Sequence, residues 1–303
     1  MMNGLIADTA ERMFSDHVDR GVLDAAEGGE FPVALWDVIR AAGLHLVGSP
    51  GSGTADADLY GLLTIAGRHA LPVPLAEVLA ANSFLEENGM TTVAVDGVAP
   101  WGRVADRVLT VDGDVSADFD VSEGANLAGE SRDRITLRNA CRVDLPAQFY
   151  ERMALSRVAL MAGALDRILA MAIDYATERE QFGRPIAKFQ AVQHNLAILA
   201  GEVAAARCAC DGAVMSARSP NFAVVVGAAK ARVGEAAGIA AEIAHQVHGA
   251  MGFTHEHSLH HFTRRLWAWR DECGRETDWQ ERLGRQVASR GADSVWEFVV
   301  GVG

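Results

Sequence analysis

The stretch Tyr175-Ala176-Thr177-Glu178-Arg179-Glu180-Gln181-Phe182-Gly183-Arg184-Pro185-Ile186, followed by Phe189-Gln190 and Gln193, ends one helical pattern and opens another. Charged residues close the first helix, Gly183 and Pro185 turn the chain, and a second apolar, alanine-rich pattern starts at about residue 187. Two readings of Arg179 stand at this level. Its guanidinium can fork onto a phosphate while Phe182 packs on a flat ring beside it. It can equally serve an ordinary helix end, where arginine favours the dipole and glycine caps.

Further along lies Gln246-Val247-His248-Gly249-Ala250-Met251-Gly252-Phe253-Thr254. Glycines let a backbone approach a ligand closely, and Gln246 offers amide hydrogen bonds. The plainer alternative is a C-cap and a turn. The segments around these motifs, residues 153–175, 187–216 and 221–249, are long and apolar on more than one side. Helices of that kind bury themselves in a bundle or against a partner subunit.

Upstream the character changes twice. Residues 91–147 hold short β-branched runs, Thr91-Thr92-Val93-Ala94-Val95, Arg107-Val108-Leu109-Thr110-Val111 and Arg134-Ile135-Thr136-Leu137-Arg138, bounded by Gly and Asp. Gly97-Val98-Ala99-Pro100 and Asp112-Gly113-Asp114 read as turns. Residues 1–90 read as short amphipathic helices interrupted by Pro72 and Pro74. Gly48-Ser49-Pro50-Gly51-Ser52-Gly53-Thr54 lacks the lysine of a phosphate loop, so an inter-helix loop is expected. The fold class is mainly α with a small β domain: an N-terminal helical domain at 1–90, a reduced middle β domain at 91–147 and a C-terminal four-helix bundle at 148–303.

Composition narrows the functions. The formal net charge is −13, which argues against nucleic acid as a partner. Residues 1–150 carry 23 acidic and 10 basic side chains, whereas residues 151–303 carry 17 of each. The neutral, arginine-rich half is the better place for an anionic ligand. No apolar run has the length of a membrane span, and no secretory signal opens the chain, so a cytoplasmic location is expected. Cys141, Cys208, Cys210 and Cys273 lack CxxC spacing and read as free thiols. His255, His257, His260 and His261 read as solvated or helix-end residues rather than a metal site.

Together and in this order, the two motifs resemble the C-terminal domain of the acyl-CoA dehydrogenases. That family's pattern is an Arg-x-x-Phe-Gly turn, a Phe/His-Gln pair, then a Gln-x-x-Gly-x-x-Gly-Phe/Tyr segment before an Arg-rich helix. The resemblance covers residues 148–284; residues 1–147 match in element order and length only. It implies FAD lying across a subunit interface, with Arg179, Phe182 and Gln190 reaching its diphosphate or adenine, as would Gln246 and Gly249. It also implies hydride removal from the β-carbon of an acyl-CoA thioester while a carboxylate takes the α-proton.

Two departures from the family pattern stand out. The usual base position holds Cys273, with Arg275 where a Thr is expected, and an alternative base position holds Ser156 followed by Arg157. Glu272 is therefore the candidate base and Arg157 a candidate substrate-binding residue facing the cleft. The acidic, Gly/Ser-rich segment that holds the flavin ring has no counterpart in the β domain. The resemblance thus implies a short subunit pairing with a longer acyl-CoA dehydrogenase chain in an α2β2 assembly. Such an assembly would act on steroid-derived or bulky acyl-CoA esters and pass electrons to an electron-transfer acceptor. The alternatives are a self-sufficient homo-oligomer using Glu272 and a non-catalytic scaffold subunit that binds CoA esters.

Overall fold

Asn3 and Asp19 begin the chain's first two helices by accepting the N–H groups of Leu5 and Val22. The computed structural model describes residues 2–86 and 89–301. Five helices come first: α1 (Gly4–His17), α2 (Arg20–Glu27), α3 (Val33–Ala41), α4 (Asp56–Arg68) and α5 (Leu75–Asn82). Asp58 ties two of them together, accepting from the N–H of Ala55 at the start of α4 and from that of Asn3 before α1. Residues 48–54 form the expected loop between helices, and Pro72 and Pro74 lie between α4 and α5.

The β segment contains β1 (Thr91–Ala94), β2 (Val98–Ala99), β3 (Arg107–Thr110), β4 (Asp114–Ser116), β5 (Asp118–Ser122), β6 (Asp133–Arg138) and β7 (Cys141–Arg142). They make two small sheets, ordered β1-β3-β4-β7 and β2-β6-β5. The three β-branched runs are the strands β1, β3 and β6. The expected turn at residues 97–100 contains the short strand β2, and β4 and β5 were hidden because their acidic residues mask the alternation. Ala94, Ala99, Val108 and Ile135 form the core here, with Phe119 and Leu137 packed on it.

One charge pair locks this segment. Asp133 is fully buried and accepts from the Arg103 backbone N–H at 2.8 Å, from Arg103 Nε at 3.1 Å and from Gly124 N–H at 3.1 Å. Burial pushes the carboxyl up, but hydrogen bonds from Arg103, Gly124 and Ser131 together hold it below the ordinary aspartate value.

From residue 149 the chain is helical: α6 (Phe149–Glu178), α7 (Gln190–Met215), α8 (Phe222–His248), α9 (Leu259–Asp271), α10 (Glu276–Arg290) and α11 (Val295–Val300). Between α6 and α7 lies a hairpin of two two-residue strands, β8 (Glu180–Gln181) and β9 (Arg184–Pro185). Contacts divide the chain into two units, residues 1–156 and 157–303, the division falling inside α6. Within the second unit α8 is central, packing on α7, α9 and α10. Its alanines and glycines allow this: Gly227 faces Trp279 and Gly234 faces Glu276, where a Cβ would lie 2.8 and 2.7 Å from those side chains. Among the described residues no helix is long and apolar enough to cross a membrane.

Asp133→Ala should leave Arg103 without its main counter-charge and destabilise the chain by about 3 kcal/mol. Urea unfolding at pH 7 measures this; a loss under 1 kcal/mol would mean that the pair contributes no more than a surface contact.

Candidate functional site

The end of α6 and the end of α8 meet through two rings. Tyr175 stacks on His248, with centroids 4.6 Å apart and planes 27° apart, and His257 meets His248 edge-on at 4.6 Å. His248 donates from Nδ1 to the Ala244 carbonyl at 2.7 Å if that nitrogen carries the proton. Burial pushes the imidazoles of His245, His248 and His257 below the ordinary histidine value.

This junction opens into a cleft of about 470 Å³. One wall is Tyr175, Arg179, Phe182 and Phe189 from the first motif; the other is Gln246, His248, Gly249 and Met251 from the second. Segments far apart in sequence thus share one concavity.

The hairpin after α6 shapes the first wall. Phe182 and Gly183 both have positive φ, 52° and 76°, the signature of a type I′ turn. Glycine adopts it freely, but a phenylalanine there is unusual. Phe182 is 92% exposed and touches Phe189 edge-on at 6.2 Å, while Arg184 lies over the Phe189 ring at 4.3 Å. A strained aromatic held in solvent suits a surface that something else covers. Arg179 is exposed. Gln190 opens α7, is exposed, and stands outside the cleft lining.

On the second wall Gly249 ends α8 with φ 57° and ψ −138°, and an added Cβ there would meet nothing within 4 Å. The backbone is open to an incoming group. Gln246 and Gly249 also border an adjoining hollow of about 380 Å³. There Trp267, His245 and Phe253 stack in sequence, His245 lying 6.2 Å from Trp267 and 4.7 Å from Phe253.

The remaining candidates lie elsewhere in the second unit. Arg157 is 4% exposed and donates from Nε to Glu272 Oε2 at 2.7 Å. Arg157, which follows the alternative base position, and Glu272, which precedes the usual one, are therefore neighbours in space. Arg157 is neither on the surface nor open to a cleft through this nitrogen, and Glu272 is not left to solvent. Proton transfer to Glu272 Oε2 would require this ion pair to open. Next to it Lys230 is fully buried, its Nζ donating to the carbonyls of Arg270 at 2.7 Å and Gly274 at 2.8 Å. Burial pushes its ammonium down to about 8. Arg270 Nε lies 2.9 Å from Glu276 Oε1, an ion pair without the alignment of a hydrogen bond.

Lys230 escaped the sequence reading, and Tyr175 and His248 stood in the two motifs without an assigned role. A signal for Lys230 was present: it falls in helical step with Val226, Val233 and Ala237, all buried. Of the four histidines expected to be solvated or at a helix end, His261 is fully buried on α9, and His257, in the turn before α9, is half-buried against His248. All four cysteines are free thiols, with Cys208 exposed and Cys210 buried on opposite sides of α7.

Helices α6 to α8 and nearly all of α9 are covered by a family model. Residues 147–270 match the one described as acyl-CoA dehydrogenase, C-terminal domain, and that segment of the chain is similar to this family. It is 26% identical over 294 residues to acyl-CoA dehydrogenase IpdE2 of Mycobacterium tuberculosis, covering 86% of this chain and 89% of that protein. The fold is shared with a chain of the ChsE4-ChsE5 complex from Mycobacterium tuberculosis (TM-score 0.81, 22% identity, 95% and 97% of the two chains). It is shared too with a chain of the Tcur3481-Tcur3483 steroid ACAD G363A variant (TM-score 0.82, 24% identity, 94% and 97%).

Lys230 ties the stability of the chain to alkaline pH. With its folded value near 8 and the ordinary value 10.5, the unfolded chain holds this proton more tightly between them. Stability from this group therefore rises across pH 8–10.5 and is lost as pH falls back through 8. Relative to Lys230→Met, the wild type should gain up to about 3 kcal/mol across that window. Urea midpoints from pH 7.5 to 10 measure it; parallel curves would mean an ordinary ammonium.

Proposed function

We propose that the chain is a subunit of an FAD-dependent acyl-CoA dehydrogenase that introduces an α,β double bond into an acyl-CoA thioester. In this reading it works in the cytoplasm beside a longer acyl-CoA dehydrogenase chain, in an α2β2 assembly. Its substrates are steroid-derived or otherwise bulky, and its electrons leave through an electron-transfer acceptor. The observation that carries the proposal is the cleft, which brings Arg179, Phe182, Gln246 and Gly249 to one open edge. The likeness to chains of the ChsE4-ChsE5 complex and of the Tcur3481-Tcur3483 steroid ACAD supports the partner and the substrate class.

The residues present fit part of an FAD. Arg179 and Gln246 offer a forked cation and an amide for a diphosphate, Phe182 a flat apolar face, and Gly249 an unobstructed backbone. Gln190 fits only where a ligand reaches past the cleft. When bound, FAD supplies the hydride acceptor for the β-carbon. What this chain's residues do is hold and orient: the cation neutralises the diphosphate, and the hairpin shields its edge from water. The flavin-ring segment has no sequence counterpart here, which suits a cofactor seated mainly on the partner.

The self-sufficient alternative needs Glu272 as base, and Arg157 engages that carboxylate. A pure scaffold has no use for the exposed Arg179 and Gln246 on one cleft.

Two measurements test the proposal. The chain purified alone should carry little flavin, and a stoichiometric yellow chromophore would overturn the need for a partner. In the assembled enzyme, Arg179→Ala should weaken FAD binding by roughly 10- to 150-fold, the loss of one charged hydrogen bond. An FAD titration of mutant chain with wild-type partner reads it; unchanged affinity would return Arg179 to a helix-end role.

A further inference from the structure

Between α9 and α10 the chain makes a reversal that its residues do not favour. Cys273 and Gly274 both have positive φ, 55° and 90°. Glycine is needed at 274 on two counts, since a Cβ there would also lie 2.7 Å from Trp279 Nε1. At 273 a residue with a side chain occupies a region it rarely adopts. Such a conformation persists where its surroundings over-determine it, and here three carbonyls are held by buried donors. Lys230, from α8, takes those of Arg270 and Gly274 at 2.7 and 2.8 Å. Trp279, from α10, donates Nε1 to that of Cys273 at 3.0 Å.

The reversal decides where Glu272 points. A residue just past a helix C-terminus ordinarily projects into water. With the chain folded back, Cys273 is 5% exposed, and the Glu272 carboxylate turns inward to lie 2.7 Å from Arg157 Nε on α6. We infer that Lys230 is a positioning residue for Glu272, acting through the backbone: by holding the carbonyls on either side of it, Lys230 delivers the carboxylate to Arg157. Four charged or titratable groups face the ammonium from the packed elements: Arg157 on α6, Glu272 and Cys273 in the loop, and Glu276 on α10. The pressure of burial on that ammonium agrees with a cation spent on carbonyls rather than on water. The inference goes beyond the proposed function and stands without it, because neither flavin nor a partner chain enters.

The test is a double-mutant cycle of Arg157→Met and Glu272→Gln, measured by urea unfolding in the wild type and again with Lys230→Met. In the wild type the pair should be coupled by roughly tenfold in the unfolding equilibrium constant. Without Lys230 that coupling should fall below threefold. Coupling of threefold or more in the Lys230→Met background would overturn the inference, because a lysine that only fills space leaves the pair intact. Iodoacetamide gives a second readout: in Lys230→Met, Cys273 should react at least tenfold faster while Cys210, buried on α7, is unchanged. Equal acceleration of both thiols would mean general loosening and count against it. Should Lys230→Met fail to fold, thiol labelling of the wild type decides: Cys273 should react with iodoacetamide as slowly as the buried Cys210, and labelling at the rate of the exposed Cys208 would overturn the assignment.

Discussion

The stacking of Tyr175 on His248 joins the two ends on which the candidate site is built. One ring belongs to the last turn and a half of α6, the other to the last residue of α8. Planar contact at 4.6 Å fixes both separation and orientation of the helix ends. That in turn sets the arginine hairpin across from the glycine terminus. A cleft with polar donors on both rims follows from the meeting, without any residue between them having to reach far.

Around this contact the second unit uses polar groups sparingly. α8 is largely alanine, glycine and valine on its buried sides, so neighbouring helices approach it closely. Its one fully buried charge, Lys230, is satisfied by carbonyls, and the nearby Arg157 by Glu272. A buried ion pair adds little stability over an apolar pair, but removing one partner is costly. Such a pair therefore constrains the arrangement of α6 and the loop before α10 more than it strengthens it. Phe182 is the opposite case, an apolar group left in water at a strained position. Local rules that break without local compensation tend to mark functional surfaces.

Much of this was legible in the residues. The three long helices, the strands β1, β3 and β6, the punctuation by Pro72 and Pro74, and the two motifs all follow from period and turn chemistry. The family resemblance rested on those motifs. What stayed hidden depended on contacts across long sequence separations. Nothing local says that Arg157 and Glu272 are partners, or that His261 rather than His255 is buried. β4 and β5 were missed because Asp114, Asp118 and Asp120 look like turn residues, and only pairing along the ladder with β6 or β3 makes them strands. Some of the acidic side chains of the first half pair across these strands, Arg138 with Asp120 in one sheet and Arg142 with Asp114 in the other.

The order of strands in the first sheet has a consequence for how the chain folds during synthesis. β1 and β3 pair in parallel through neighbours close in sequence, but the sheet β1-β3-β4-β7 closes only when residues 141 and 142 arrive. Those residues come just before α6 begins at Phe149. All strands of both small sheets are thus available before any of the long helices has been made. The first residues of α6, up to Ser156, belong to the first unit, but its later part must wait for α8, whose His248 stacks on Tyr175. For that interval the later, alanine-rich part of α6 lacks this partner, and this is the stage at which a nascent chain is exposed to misassembly. Vectorial synthesis therefore places the risk in this protein on its second half, the half that carries the site.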